Sequence, residues 1–343
     1  MEDKFTRNSN IELLRICLML MIIAGHVMMQ HKTPYSLSNS DEVIKLFFYG
    51  AFCVAVNAFV LISGFFGIKY KRDRLIRLVM QTFFYSVVFM TLAIGMAWHE
   101  LTPKTDIFAL IPVLTKRYWF VTCYIVLYII SPWLNIWVEA LERDIFKRFL
   151  VVGFLVVYAW PTFNFLLNAP QFIEDSGYGI VNFVYLYLLG RYLRIHYVEK
   201  HNSRYYWGGY LVSVVLLFVC QYSISWLLGF EFTSWFSYNT IFCFVGSICL
   251  FMAFKNMTIH SRVINYWAKP CLAVYLIHMA PYILSKFCEV VGIQQFHGVS
   301  WLMVILTFPF VIYFVCAVID MIRLHTIGGL ENRIVSLLSR KDE

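Results

Sequence analysis

From Ile11 to Gln30 the chain is an apolar run interrupted by Arg15 and His26. If helical, such a run at about 1.5 Å per residue spans the roughly 30 Å hydrocarbon layer of a bilayer. It therefore predicts a transmembrane helix, whose backbone groups must all be paired within the segment. Arg15 and His26 are eleven positions apart. At 100° per residue that returns to within roughly 20° of the same face, about 16 Å further along the axis. A charged group at that depth costs several kcal/mol and normally faces a bundle interior or a watery cavity. Plainer explanations exist for each residue alone. Arg15 can snorkel to phosphates along its stem, and His26 can stay neutral on a neighbouring helix's carbonyl. Their common face is what suggests a shared site.

With 60% hydrophobic and 14% charged residues over 343 positions, the chain has the profile of a polytopic membrane protein. The polar leader Met1–Asn10 runs directly into the first apolar stretch and no small-residue cleavage site follows, so the first helix is expected to be retained. Reading apolar runs against polar breaks gives an all-α bundle of about ten transmembrane helices. The expected spans are 11–30, 44–67, 78–98, 118–137, 148–168, 177–195, 206–228, 236–254, 269–289 and 300–322. With Met1 inside, the cytoplasmic breaks hold 21 of the 28 Lys and Arg residues, leaving six outside and Arg15 in the membrane. This positive-inside bias predicts that both termini are cytoplasmic. The net charge of +8 thus reports membrane orientation and not nucleic-acid binding. No linker or internal repeat divides the chain, so residues 1–343 are expected to form one integral-membrane domain.

The nine cysteines are odd in number and scattered through apolar runs without a CxxC pair, which predicts free thiols. No group of His, Cys and acids has the spacing of a metal site, and none is expected.

The second run closes on Ser63-Gly64-Phe65, whose small residues permit close approach of a helix or a ligand. Directly after it come Lys69, Lys71, Arg72, Arg74 and Arg77 with only Asp73 among them. Topology accounts for some of these cations. The rest suit either anionic lipid headgroups or a phosphorylated ligand, gripped by Arg74 and Arg77 at the start of a helix. Arg117-Tyr118-Trp119-Phe120 opens the fourth span on the outer side, either as an aromatic belt or with Trp119 as a sugar-stacking surface. His278 in Tyr275-Leu276-Ile277-His278 falls near mid-membrane, as a structural hydrogen-bond partner or a participant in chemistry. Asp320 has Arg323 nearby as a ready partner.

Taken in order, these motifs resemble the integral-membrane acyltransferase 3 family, whose members O-acylate bacterial surface polysaccharides and related acceptors. Asn10-Ile11-Glu12-Leu13-Leu14-Arg15 followed by ten residues and His26 is similar to the family's first-helix Arg-x10-His signature. Ser63-Gly64-Phe65 is similar to its Ser-Gly-Phe, and Arg74-Leu75-Ile76-Arg77 to the Arg-x-x-Arg attributed to coenzyme A binding. Tyr118-Trp119-Phe120 and Tyr275-Leu276-Ile277-His278 fall where the family has its fourth-helix Trp and its Tyr-Leu-Ile-His segment. The chain departs from many relatives in having Val121-Thr122-Cys123-Tyr124 where they carry a carboxylate pair. It also has no C-terminal hydrolase-like segment, so a second acyl-transfer step within it is not expected.

The resemblance implies transfer of an acyl group, acetyl foremost, from cytosolic acyl-CoA to a hydroxyl of a surface polysaccharide or its lipid-linked precursor. Acetyl-CoA would be a co-substrate, with no permanently bound cofactor. Its phosphates would dock on Arg74 and Arg77, assisted by Lys69, Lys71 and Arg72, and its pantetheine arm would pass Arg15 to reach His26. His26 would act as general base or form an acyl-histidine, with Ser63, Trp119 or His278 in support. The implied location is a bacterial inner membrane, with lipid, acyl-CoA and a saccharide as partners and self-association left open. A secondary transporter using intramembrane His and Arg is the alternative, although no paired broken helices or repeat halves are visible. A structural subunit of a polysaccharide-assembly complex would not need Arg15, His26 and the basic cluster along one route.

Overall fold

The computed structural model describes residues 8–33, 35–99, 102, 107–167, 169–173, 175–198, 201–229 and 237–339. Most of the polar leader, the first residue of the eighth expected span and the last four residues of the tail lie outside them. The described residues form helices joined by turns and irregular segments, without a strand among them.

The helices, in chain order, are α1 (Ser9–Gln30), α2 (Ser40–Phe52), α3 (Val54–Phe66), α4 (Arg72–Gly95), α5 (Trp119–Ala140), α6 (Arg143–Phe154), α7 (Trp160–Leu166) and α8 (Ile180–Ile195). They continue with α9 (Ser203–Leu228), α10 (Ile241–Lys255), α11 (Arg262–Trp267), α12 (Cys271–His278), α13 (Ile283–Val291) and α14 (Val299–Ser339). Pairs α2–α3 and α6–α7 act as single spans, the second through a π-helical turn at Leu155–Ala159. That wider turn sits just before Pro161, which cannot donate a helical hydrogen bond.

Seven spans among the described residues are long and apolar enough to cross a membrane, or eight if α12 and α13 count as one. The expectation of about ten meets two shortfalls. The sixth and eighth runs form α8, of 16 residues, and α10, of 15, each short of the roughly 20 that a full crossing takes. The ninth run bends by 77° between α12 and α13, where Pro281 follows Ala280 and Tyr282 takes a left-handed backbone with φ 67°. The tenth run continues past its expected end at 322 to Ser339.

Two apolar cores share α1. Its Leu14 and Leu18 pack into a cluster with α3, α8, α9 and α10, whereas Ile23 and Val27 pack with α12 and α14. Gly64 and Gly190 let α3 and α8 touch backbone to backbone. A Cβ on Gly190 would stand 2.6 Å from the Phe65 nitrogen, and one on Gly64 would collide with the Tyr187 carbonyl. This is the close approach that the Ser-Gly-Phe segment permits. The nine cysteines are all free.

Candidate active site

Between the two cores lies a cavity of about 330 Å³, within the range of small-molecule sites. Helix α1 contributes Arg15, Met19, Ile22 and His26, a stripe at the three- and four-residue spacing of one helical face. The common face expected for Arg15 and His26 is therefore a cavity wall. Opposite stand Phe59 and Ser63 of α3, Trp119, Phe120 and Tyr124 of α5, and Cys271, Leu272 and Tyr275 of α12.

His26 Nδ1 is 3.1 Å from His278 Nε2, and His278 Nδ1 is 2.6 Å from the Val274 carbonyl oxygen. A carbonyl only accepts, so His278 carries its proton on Nδ1 and presents the lone pair of Nε2 to His26. His26 then donates from Nδ1, which leaves Nε2 as its unprotonated nitrogen. His26 lines the cavity, and Nε2 is the nitrogen of its ring free to act as a base. His278 is 2% exposed and packed against the Tyr275 ring, so it has little freedom to turn away.

Toward the start of α1, Arg15 is held by Glu12 through a 3.0 Å ion pair one helical turn away. Glu12 is buried, while the Arg15 side chain keeps 36% exposure into the cavity. The pair explains how a cation is accommodated at this depth. Lys269 joins it on the wall, with its ammonium over the Tyr266 ring.

Trp119 turns inward rather than into a lipid-facing belt. Its ring lies 4.6 Å from that of Tyr178 and 5.8 Å from that of Tyr238, and Tyr238 also lines the cavity. Beneath this aromatic group Asn57 donates to the Tyr238 carbonyl at 2.8 Å. Asn182 links Asn57 to the Gly177 carbonyl. Ser63 turns its hydroxyl back to the Phe59 carbonyl at 3.3 Å.

The acyltransferase-domain family model matches residues 8–321. The chain belongs to the acyltransferase 3 family. Neither curated proteins nor solved structures return a match.

In this acyltransferase the basic segment lies outside the cavity wall, next to it in the chain. Lys69, Lys71, Arg72, Arg74 and Arg77 are all exposed, whereas Leu78, the next residue, lines the cavity. The Tyr128 hydroxyl receives the Lys71 N–H at 2.9 Å and fastens the segment to α5, one turn below Tyr124. Arg77 does not share a partner with Arg74; it donates to Asn332 of the long α14 extension at 2.6 Å. Asp320 pairs with Arg323 at 2.9 Å and also accepts from Tyr85 at 2.7 Å.

Lys269, Tyr178 and Tyr238 escape the sequence motifs, and Glu12 stands within the first-helix motif without an assigned role. Glu12 had a legible signal, three residues from Arg15; Lys269 reads only as one of many topology-setting cations. The structure also gathers His31, Asp41 and His297, which no spacing in the sequence reveals.

Proposed function

We propose that this acyltransferase moves an acyl group, acetyl foremost, from cytosolic acyl-CoA to a hydroxyl of a surface saccharide or its lipid-linked precursor in a bacterial inner membrane. The observation that carries the reading is one cavity joining Arg15 and Lys269 at its inner end to a base-competent His26. In this reading the donor's phosphates rest on the exposed cluster at the inner mouth, Arg74 and Arg77 foremost. The thioester arm passes Lys269 and Arg15, and the sugar stacks on the Trp119 face.

His26 Nε2 takes the proton of the acceptor hydroxyl as its oxygen attacks the thioester carbonyl carbon. The tetrahedral intermediate collapses with cleavage of the C–S bond, and the departing thiolate receives the proton from the His26 imidazolium. His278 orients the ring throughout and shares the positive charge through the 3.1 Å hydrogen bond. Direct transfer uses the lone pair of Nε2 as a base; an acyl-histidine would use the same lone pair as a nucleophile. Family membership favours this reading over a transporter.

The test is acetyl-CoA binding by calorimetry in lipid nanodiscs, with wild type, Arg74→Ala/Arg77→Ala and His26→Ala. Binding retained in His26→Ala and lost in the double Arg variant is expected. An absence of binding to wild type would redirect the reading to another acyl donor or to transport.

A further inference from the structure

At the end of the bundle opposite the basic cluster, three residues from distant parts of the chain converge. His31 follows α1, Asp41 lies in the first turn of α2, and His297 precedes α14. One nitrogen of each imidazole and one oxygen of the carboxylate all lie within 4.8 Å of one another.

The surroundings fix the ligand atoms. His31 is 2% exposed, with its ring stacked on Trp301 at 4.0 Å. Its Nε2 is 3.1 Å from the Phe296 carbonyl oxygen, so the proton sits there and Nδ1 keeps its lone pair. That Nδ1 is buried and has no hydrogen-bond partner, a condition that costs folding free energy unless something binds it. Asp41, also 2% exposed, accepts the Gly298 N–H at 2.7 Å with Oδ1. Its Oδ2 faces His297 Nδ1 at 2.7 Å. His297 itself is exposed and gives the cluster an opening to solvent. Lys45, the nearest cation on α2, is held by Glu42 at 2.7 Å, which balances its charge locally.

We propose that His31, Asp41 and His297 form a binding site for one divalent transition-metal ion of the zinc type. Two imidazoles and a carboxylate are the donor set such an ion takes, with a fourth position left for water. The Phe296 carbonyl and the Gly298 amide are the outer partners that aim His31 and Asp41. The ion takes the place of the proton between His297 and Asp41, and the imidazole carries its proton on the other ring nitrogen.

The consequence is mechanical. The site ties the end of α1 and the start of α2 to the turn before α14. Gln294 bridges the same strands of chain, accepting from the Lys32 N–H at 3.0 Å and donating to the Gln30 carbonyl. His31 follows His26 by five residues, so the ion fixes the outer end of the helix that carries the candidate base.

The experiment uses the full chain in lipid nanodiscs, purified without a polyhistidine tag, stripped with chelator and titrated with Zn²⁺ by calorimetry. Co²⁺ supplies a visible-absorption readout of a four-coordinate site. Wild type is expected to bind one ion per chain and to gain thermal stability with Zn²⁺. His297→Ala, at an exposed position, and Asp41→Asn, which keeps an acceptor for Gly298, are each expected to weaken Zn²⁺ roughly 100-fold and to abolish the stability gain. The surface control His325→Ala should bind as wild type does. No binding by wild type, or binding unchanged in both ligand variants, overturns the proposal.

Discussion

His278 Nε2 stands 3.1 Å from His26 Nδ1, and the Val274 carbonyl fixes which nitrogen of each ring bears the proton. The group that orients His26 is therefore a second histidine, through its Nε2 lone pair. Replacing His278 with Ala is expected to lower kcat roughly 10²-fold with little change in KM, because the base keeps its position on α1 and loses its tautomer. His26→Ala should remove activity, and the double variant should be no worse than His26→Ala alone. Independent, additive losses would mean that the two rings do not act as a unit.

The Glu12–Arg15 pair makes a second prediction. Removing Glu12 leaves a half-buried guanidinium without its counter-charge, whereas removing Arg15 leaves a buried carboxylate. Arg15→Ala should therefore destabilise the protein by about 1–3 kcal/mol, and Arg15→Ala/Glu12→Ala by less than Arg15→Ala alone. Thermal unfolding in nanodiscs measures both. Greater loss in the double variant would show that the pair contributes net stability beyond its own desolvation.

A third prediction concerns helix contact. Gly190→Ala places a methyl group against the Phe65 nitrogen and the Gly64 backbone, with no flexible side chain to yield. The expected cost is about 1–3 kcal/mol as α3 and α8 separate. Gly208→Ala, where a Cβ meets nothing within 4 Å, is the matched control and should be neutral or slightly stabilising.

The helical bundle and the shared face of Arg15 and His26 were legible because a bilayer imposes length and a helix imposes a 100° step. The number of spans was less so. Pro281 was visible in the sequence, but whether a proline in an apolar run kinks, breaks or merely bends a helix is decided by packing, and here α12 and α13 diverge by 77°. The His26–His278 contact joins positions 252 residues apart, beyond any local pattern. So does the grouping of His31 and Asp41 with His297. Lys269 looked like the other inner cations because what distinguishes it, a place on the cavity wall, depends on where α11 and α12 turn.

Trp119 supplies the last prediction. An aromatic belt residue would face lipid, but this ring lines the cavity beside Tyr178 and Tyr238, and Tyr124 of α5 lines it too. Its position is fixed from below: Asn57 holds the Tyr238 carbonyl, and the Asn57–Asn182 bond ties that contact to α8. A flat, preorganised surface of this kind pays little conformational entropy on binding a sugar face. Trp119→Ala should raise KM for the acceptor roughly 2- to 10-fold, the equivalent of about 0.5–1.5 kcal/mol of ring contact. Donor binding should be unchanged, because the proposed donor cluster meets α5 at Tyr128, about two and a half helical turns from Trp119. Trp119→Phe should recover most of the loss. Steady-state kinetics with donor and acceptor varied separately distinguish the outcomes, and a rise confined to the donor KM would place the saccharide elsewhere.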